Sequence, residues 1–188
     1  MNKAQTIIKR SLIITFALIL GSTLQTNAKP APNSITLITE KNQTMSALLE
    51  NRSEMQETIA FMHEHISENA VFEMSMSNET MPADMQGQNI KMDKASYINS
   101  FIQGTHFVDQ YKVSIKTVDV QPSKDNKTAI SKEIMIEEGL ILNPRNLQEE
   151  GKPFISTTSC TTLHQLDGEK AISVKAQCHT DTSFLTTT

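Results

Sequence analysis

Apolar residues recur along this chain first at helical spacing and then at strand spacing. Met45, Leu48 and Leu49 stand at i, i+3 and i+4 and predict a helix that stops near Asn51 and Arg52. A second helix is predicted from Ser53, which with Gln56 has the spacing of a capping box, and Met55, Ile59, Met62 and Ile66 give it one buried stripe. In AVFEMSMS the period drops to two: Phe72, Met74 and Met76 fall on one side and Glu73 and Ser75 on the other, as in a half-buried strand. The polar loop NETMPADMQGQN leads out of it. Asp93 is placed to cap a third helix, whose apolar face is Tyr97, Ile98, Phe101 and Ile102 and whose end is marked by Gly104.

Beyond this helix the chain turns to strands. Tyr111, Val113 and Ile115 alternate, then the phase shifts to Val118 and Val120, which predicts a bulge near Thr117. After the turn PSKDNK, the next strand carries Ile130, Ile134 and Ile136 on one face. Two last strands flank Asp167-Gly168, a hairpin signal. Pairing Leu166 with Ile172 sets His164 opposite Val174, Thr162 opposite Ala176 and Cys160 opposite Cys178, all on one face, with Ser173, Lys175, Gln177 and His179 on the other. That register buries the apolar set and brings the two sulfurs together, and a slip of one residue would expose the same set.

The apolar run at the start has a different meaning. Lys3, Lys9 and Arg10 precede SLIITFALILGSTL, and Thr26-Asn27-Ala28 follows it, which reads as a secretory signal peptide cut after Ala28. The run falls short of the roughly 20 residues of a membrane-spanning helix, so no stable membrane anchor is expected after cleavage. The alternative is an uncleaved signal anchor. Export to a periplasmic or extracellular space follows, as does a disulfide between Cys160 and Cys178, whose spacing is not that of a CxxC redox or zinc site. Two buried free thiols are the other reading of this pair. The leader holds three of the 17 Lys and Arg and none of the 21 Asp and Glu, leaving 14 bases against 21 acids, a net charge of −7. With its bases scattered singly, the chain lacks the clustered cations of a nucleic-acid-binding surface. Asn42, Asn51, Asn78 and Asn126 stand in N-x-S/T sequons.

Helix, helix, short strand, polar loop, helix and four long strands is an order that resembles the nuclear-transport-factor-2-like superfamily, the cone-shaped fold also used by SnoaL-like cyclases and ketosteroid isomerases. The resemblance covers about Met45 to Leu185. HISENAVFEMS is similar to that family's passage from a helix end into the first strand, and MDKASYINSFIQG to its third helix. The resemblance implies an α+β cone: three helices in the N-terminal half, packed on a strongly curved, mostly antiparallel sheet. An apolar pocket at the wide end and a homodimer through the sheet are implied with it. The expected division is signal peptide 1–28, polar segment 29–43 and one such domain over 44–188. Fold alone implies no reaction.

Ketosteroid isomerases place a tyrosine on a helix and an acidic base in the pocket. Here Tyr97 and Tyr111 are the only tyrosines, Glu73 lies on the polar side of its strand, and Glu68-Asn69 stands where active relatives carry an aspartate. No catalytic residue is therefore assigned, and Tyr97, Thr162 and His164 are the candidate pocket residues; the other readings are Tyr97 as a core-lining residue with a wetted hydroxyl and His164 as a satisfied core histidine. His63 and His65 point about 200° apart on a helix and cannot chelate one ion, so both are expected on the surface or at the helix end. Met74, Met76, Met81, Met85 and Met92 could hold cuprous copper, although Met74 and Met76 share an inward face with Phe72, where methionine fills gaps. No metal or cofactor is expected, and the common hydrolase, kinase and dehydrogenase signatures are absent. The expected function is an exported, non-catalytic domain that binds a small apolar ligand or a protein partner. The alternatives are an acid–base enzyme of SnoaL or isomerase type and a periplasmic subunit of a secretion apparatus.

Overall fold

Helix α1 spans Ser34–Glu50 and is capped by Asn33, whose side chain accepts from the Thr36 amide. The computed structural model describes residues 33–51, 55–78, 86–143 and 150–185; the leader and its cleavage site, Ser53 of the capping box, and Met81 and Met85 lie outside them. α1 begins inside the stretch 29–43 read as a polar segment. Its buried positions Leu37, Ile38, Asn42 and Leu49, with Met45 packed against the core, make one helical stripe. The middle turn of that stripe is Lys41 and Asn42, so the hydrophobic pattern breaks where the helix still continues.

Helix α2 spans Met55–His65 and runs directly into β1, Ile66–Asn78. After β2, Asn89–Asp93, helix α3 spans Lys94–Thr105, capped by Asp93 through a 2.8 Å bond from the Ser96 amide. Four long strands follow: β3 Val108–Pro122, β4 Thr128–Ile141, β5 Lys152–Asp167 and β6 Lys170–Phe184. The sheet runs in the order β2-β1-β6-β5-β4-β3, and every neighbouring pair is antiparallel except β1 with β6. This is the expected α+β cone with three helices on a mostly antiparallel sheet. β2 lay in and just beyond the predicted polar loop. Four of its five residues are exposed, so no apolar alternation marks it, and backbone pairing to residues 71–75 of β1 holds it at the sheet edge.

Among the register shifts of the sheet, one in β3 and one in β6 decide how the sequence pattern maps onto the inward face. In β3 the register shifts between Thr117 and Asp119, leaving Val118 out of step as the phase change predicts. In β6 the pairing slips between Leu163 and His164, so His164 faces Ser173 and Leu166 faces Ala171, not Val174 and Ile172 as the unbroken hairpin requires. Cys160 with Cys178 and Thr162 with Ala176 keep the expected pairing. The extra residue, Val174, flips the parity of the strand. Ser173 and Ala171 thereby turn inward and are buried, although Ser173 was expected on the polar face.

β4 shows a larger departure from the sequence pattern. Its isoleucine face points away from the helices, leaving Ile130 45% and Ile136 39% exposed, while Ala129, Ser131, Glu133, Met135 and Glu137 form the inward face. Two apolar clusters flank that face. One joins Met62, Ile66, Phe72, Ile98 and Ala176 under α2 and α3; the other joins Leu37, Ile38, Ala129 and Ala171 under the start of α1.

Candidate functional site

Helices α1, α2 and α3 meet the inward sheet face around a cavity of about 160 Å³. Much of its wall is apolar, with Met45, Leu49, Phe61, Met62, Phe72 and Phe101 among the lining residues. Lys41, Glu133, Glu137, Tyr97, Tyr111 and His65 are the groups in that wall that can titrate. Glu133 and Glu137 stand four residues apart on β4, about 13 Å along the strand, and Met135 lies between them.

Glu133 sits in a complete cradle. Asn42 Nδ2 and Ser131 Oγ donate to Oε1 at 2.9 and 2.8 Å, and Thr162 Oγ1 donates to Oε2 at 3.2 Å. Burial alone would raise this carboxyl. The hydrogen bonds from His164 and Asn42 and nearby positive charge outweigh that and hold it at about 2, so it is a permanent anion. Lys41 precedes Asn42 on α1, and its Nζ lies 2.5 Å from Ser173 Oγ. Loss of hydration lowers the Lys41 amine to about 8, against the opposing pull of Glu133.

At the other acidic position, Tyr111 OH donates to Glu137 Oε1 at 2.5 Å. Desolvation nevertheless raises the Glu137 carboxyl, because a single donor does not replace its lost water. Tyr97 lies flat against Phe72, ring centroids 4.0 Å apart and planes within 5°. Burial, then the charges of Glu137 and Glu133, push its hydroxyl up to about 12, so it remains a donor. His65 stacks on Phe61 at 4.1 Å and its Nδ1 lies 3.3 Å from the Ala171 carbonyl. Burial lowers its pKa, so near neutrality it is an uncharged imidazole.

Of the expected pocket residues, Tyr97 and Thr162 line the cavity and His164 does not. His164 is fully buried on β5, its Nε2 2.8 Å from Ser131 Oγ and 3.5 Å from Glu133 Oε1. Ser131 donates its hydroxyl hydrogen bond to Glu133, so its oxygen accepts from Nε2–H, which also faces Glu133 Oε1; Nδ1 is then bare, and no described residue bonds it. Burial lowers the His164 pKa and keeps it neutral. His164 therefore buttresses Glu133 from beneath the cavity wall. Cys160 and Cys178 form a disulfide with Cα atoms 4.2 Å apart, and both line the cavity.

Lys41, Asn42, Glu133, Glu137 and Ser173 were not expected at the site from the sequence. One signal was present: in KEIMIEE two acids fall on one strand face with Ser131 and Met135, a face that must be inward if the isoleucines are not. Of the predicted histidine pair, His63 is exposed while His65 enters the cavity wall. Met74 and Met92 pack on the core, Met76 is exposed, and among the described residues no group of three or more His, Cys, Asp or Glu could hold a metal ion. Asn42 of the first sequon is buried and bonded to both Thr117 and Glu133, a position closed to a glycan.

No protein-family model matches the chain, and no curated protein matches its sequence. Its fold matches solved structures. A conserved protein from Planctomyces limnophilus aligns at TM-score 0.57 and 8% identity, over 78% of this chain and 94% of its own. A candidate scytalone dehydratase from Novosphingobium aromaticivorans aligns at 0.56 and 10%, over 82% and 89%. A hexachlorocyclohexane dehydrochlorinase aligns at 0.53 and 5%, over 82% and 90%. The chain has the nuclear-transport-factor-2-like fold.

Proposed function

We propose that this chain is an exported domain whose cavity takes up a small, mostly apolar molecule and moves a proton on it. One observation carries the reading: within a single cavity two carboxyls on the same strand face are driven apart, Glu133 down to about 2 and Glu137 upward. Environments that separate like groups in this way assign acid–base roles. Glu137 is the proton carrier, oriented by Tyr111. Lys41, lowered to about 8, is a second group that changes charge near neutral pH. Tyr97, still protonated, donates to an oxygen on which negative charge develops. The non-catalytic function expected from sequence gives way to this reading because the cavity is not uniformly apolar. By analogy of fold, a dehydratase and a dehydrochlorinase carry names that describe eliminations, reactions that also remove a proton.

Deuterium wash-in tests this function. Small ketones such as cyclohexanone, incubated with the protein in heavy water, should exchange their α-hydrogens, and Glu137→Gln should slow exchange about 100-fold or more. Ligand binding with no exchange above that of the variant would leave a binding domain instead. That second reading is favoured by the saturated cradle of Glu133, which has the character of a structural support.

Export and pairing of copies belong to the same proposal. The disulfide supports an oxidising compartment, and a mature protein beginning at Lys29 would establish cleavage, whereas recovery with Met1 retained would overturn it. The outward stripe of Ile130, Ile136 and Val118 supports a homodimer through the sheet. Replacing Ile136 by Lys should then shift the protein to monomer in sedimentation.

A further inference from the structure

Lys41 Nζ is the only amine among the described residues that line the cavity. Its helix face also presents Met45 and Leu49, and Phe61, Met62 and Phe72 stand in the facing wall, so an apolar guest would meet the amine inside a largely apolar space. Ser173 Oγ holds the nitrogen at 2.5 Å. Glu133, fixed as an anion by Asn42, Ser131 and Thr162, lines the same cavity. An amine so placed has more than proton transfer open to it.

We infer that Lys41 is a nucleophile that condenses with small aldehydes or ketones to form an imine in this cavity. The inference rests on the cavity being a small-molecule site and names carbonyl compounds as its guests. The neutral Nζ lone pair attacks the carbonyl carbon, and the carbonyl oxygen takes up a proton to give a carbinolamine. The two hydrogens of the neutral amine then leave with that oxygen as one water, and a carbon–nitrogen double bond forms with no net oxidation or reduction. Desolvated lysines act in this way because enough of the amine is unprotonated. With the amine at about 8, about a tenth is neutral at pH 7, against well under a thousandth for an exposed lysine. Glu133 contributes at the next stage, since a fixed anion stabilises the protonated imine as it stabilised the ammonium. Ser173 Oγ is placed to pass protons to and from the nitrogen.

Reductive trapping reads the adduct directly in the unaltered chain. The protein is treated at pH 7 with butanal or benzaldehyde and sodium cyanoborohydride, and modified lysines are mapped by peptide mass. Lys41 should gain the alkyl group at least ten times faster than the exposed Lys124 and Lys152, with a rate that rises with pH and levels off above about 8. Modification of Lys41 no faster than of Lys152 overturns the inference. Lys41→Arg should abolish the fast label while leaving that of Lys152 unchanged. Trapping without deuterium exchange sustains the imine and sinks the proton-transfer function. Exchange without trapping does the reverse.

Discussion

Asn42 Nδ2 on α1 lies 2.9 Å from Glu133 Oε1 on β4, 91 residues away in the chain, and this contact ties the helix to the cavity floor. The same side chain also donates to Thr117 Oγ1 at 3.0 Å, next to the β3 bulge. A polar residue at the centre of a buried helical stripe thus fixes where Lys41 stands and which charge it faces.

Removing the Glu133 carboxylate should be costly. Glu133→Ala leaves Asn42, Ser131, Thr162 and His164 without their shared acceptor, and a loss of about 3 kcal/mol is expected. The pH dependence has a definite sign. A carboxyl held at about 2 when folded, against 4.5 when unfolded, contributes stability above pH 4.5 that is lost as pH falls from 4.5 towards 2. The full effect is about 3 kcal/mol. Urea unfolding between pH 2 and 6 should show this slope in the native chain and a flatter one in Glu133→Gln.

Glu137 carries the opposite sign. Its folded pKa is raised, so the folded state keeps a proton that the unfolded state has lost, and stability falls as pH rises from 4.5 through the folded value. Glu137→Gln should therefore gain in thermal midpoint relative to the native protein as pH increases from 4 to 8. A difference that shrinks over this range would show that the carboxyl is well solvated.

His164→Ala tests the support beneath the site. The side chain is fully buried, so truncation leaves a void and unpairs Ser131, at a cost of about 2 to 4 kcal/mol by chemical denaturation. Because burial lowers its pKa, folding weakens as pH drops below 6.5, and that slope should vanish in the variant. Guest binding should fall only as far as Glu133 shifts, since His164 does not line the cavity.

The disulfide closes a loop with a sequence separation of 18, worth roughly 3 kcal/mol in the chain-entropy account. Thiol titration of the unfolded, unreduced protein should find no free thiol. Cys160→Ala with Cys178→Ala should lower stability by about that amount and widen the cavity wall, which a larger accepted ketone would report.

Helix positions 55–65 and 94–105, the β3 bulge, the closing hairpin and the cysteine pair were legible because each rests on a local period or a turn residue. The β6 bulge was not, since Ile172, Val174 and Ala176 read as one unbroken alternation, and only the pairing of Ser173 with Ile66 on one side and His164 on the other sets the parity beyond Val174. β2 is made by edge pairing and leaves almost no apolar signal.

What the sequence by itself determined is the order of the helices and the long strands and hence the α+β class, because helical and strand periods are properties of neighbouring residues. Tertiary structure alone decided the site. On β4 the isoleucines face away and Glu133 and Glu137 face in, against the preference of each side chain taken singly. The inversion is stable because α1 sets Asn42 beside Glu133 and β5 supplies Thr162 and His164, so the cost of burying an acid is met by donors distant in the chain. No local pattern can record such a debt between segments, and the functional residues lie where it falls due.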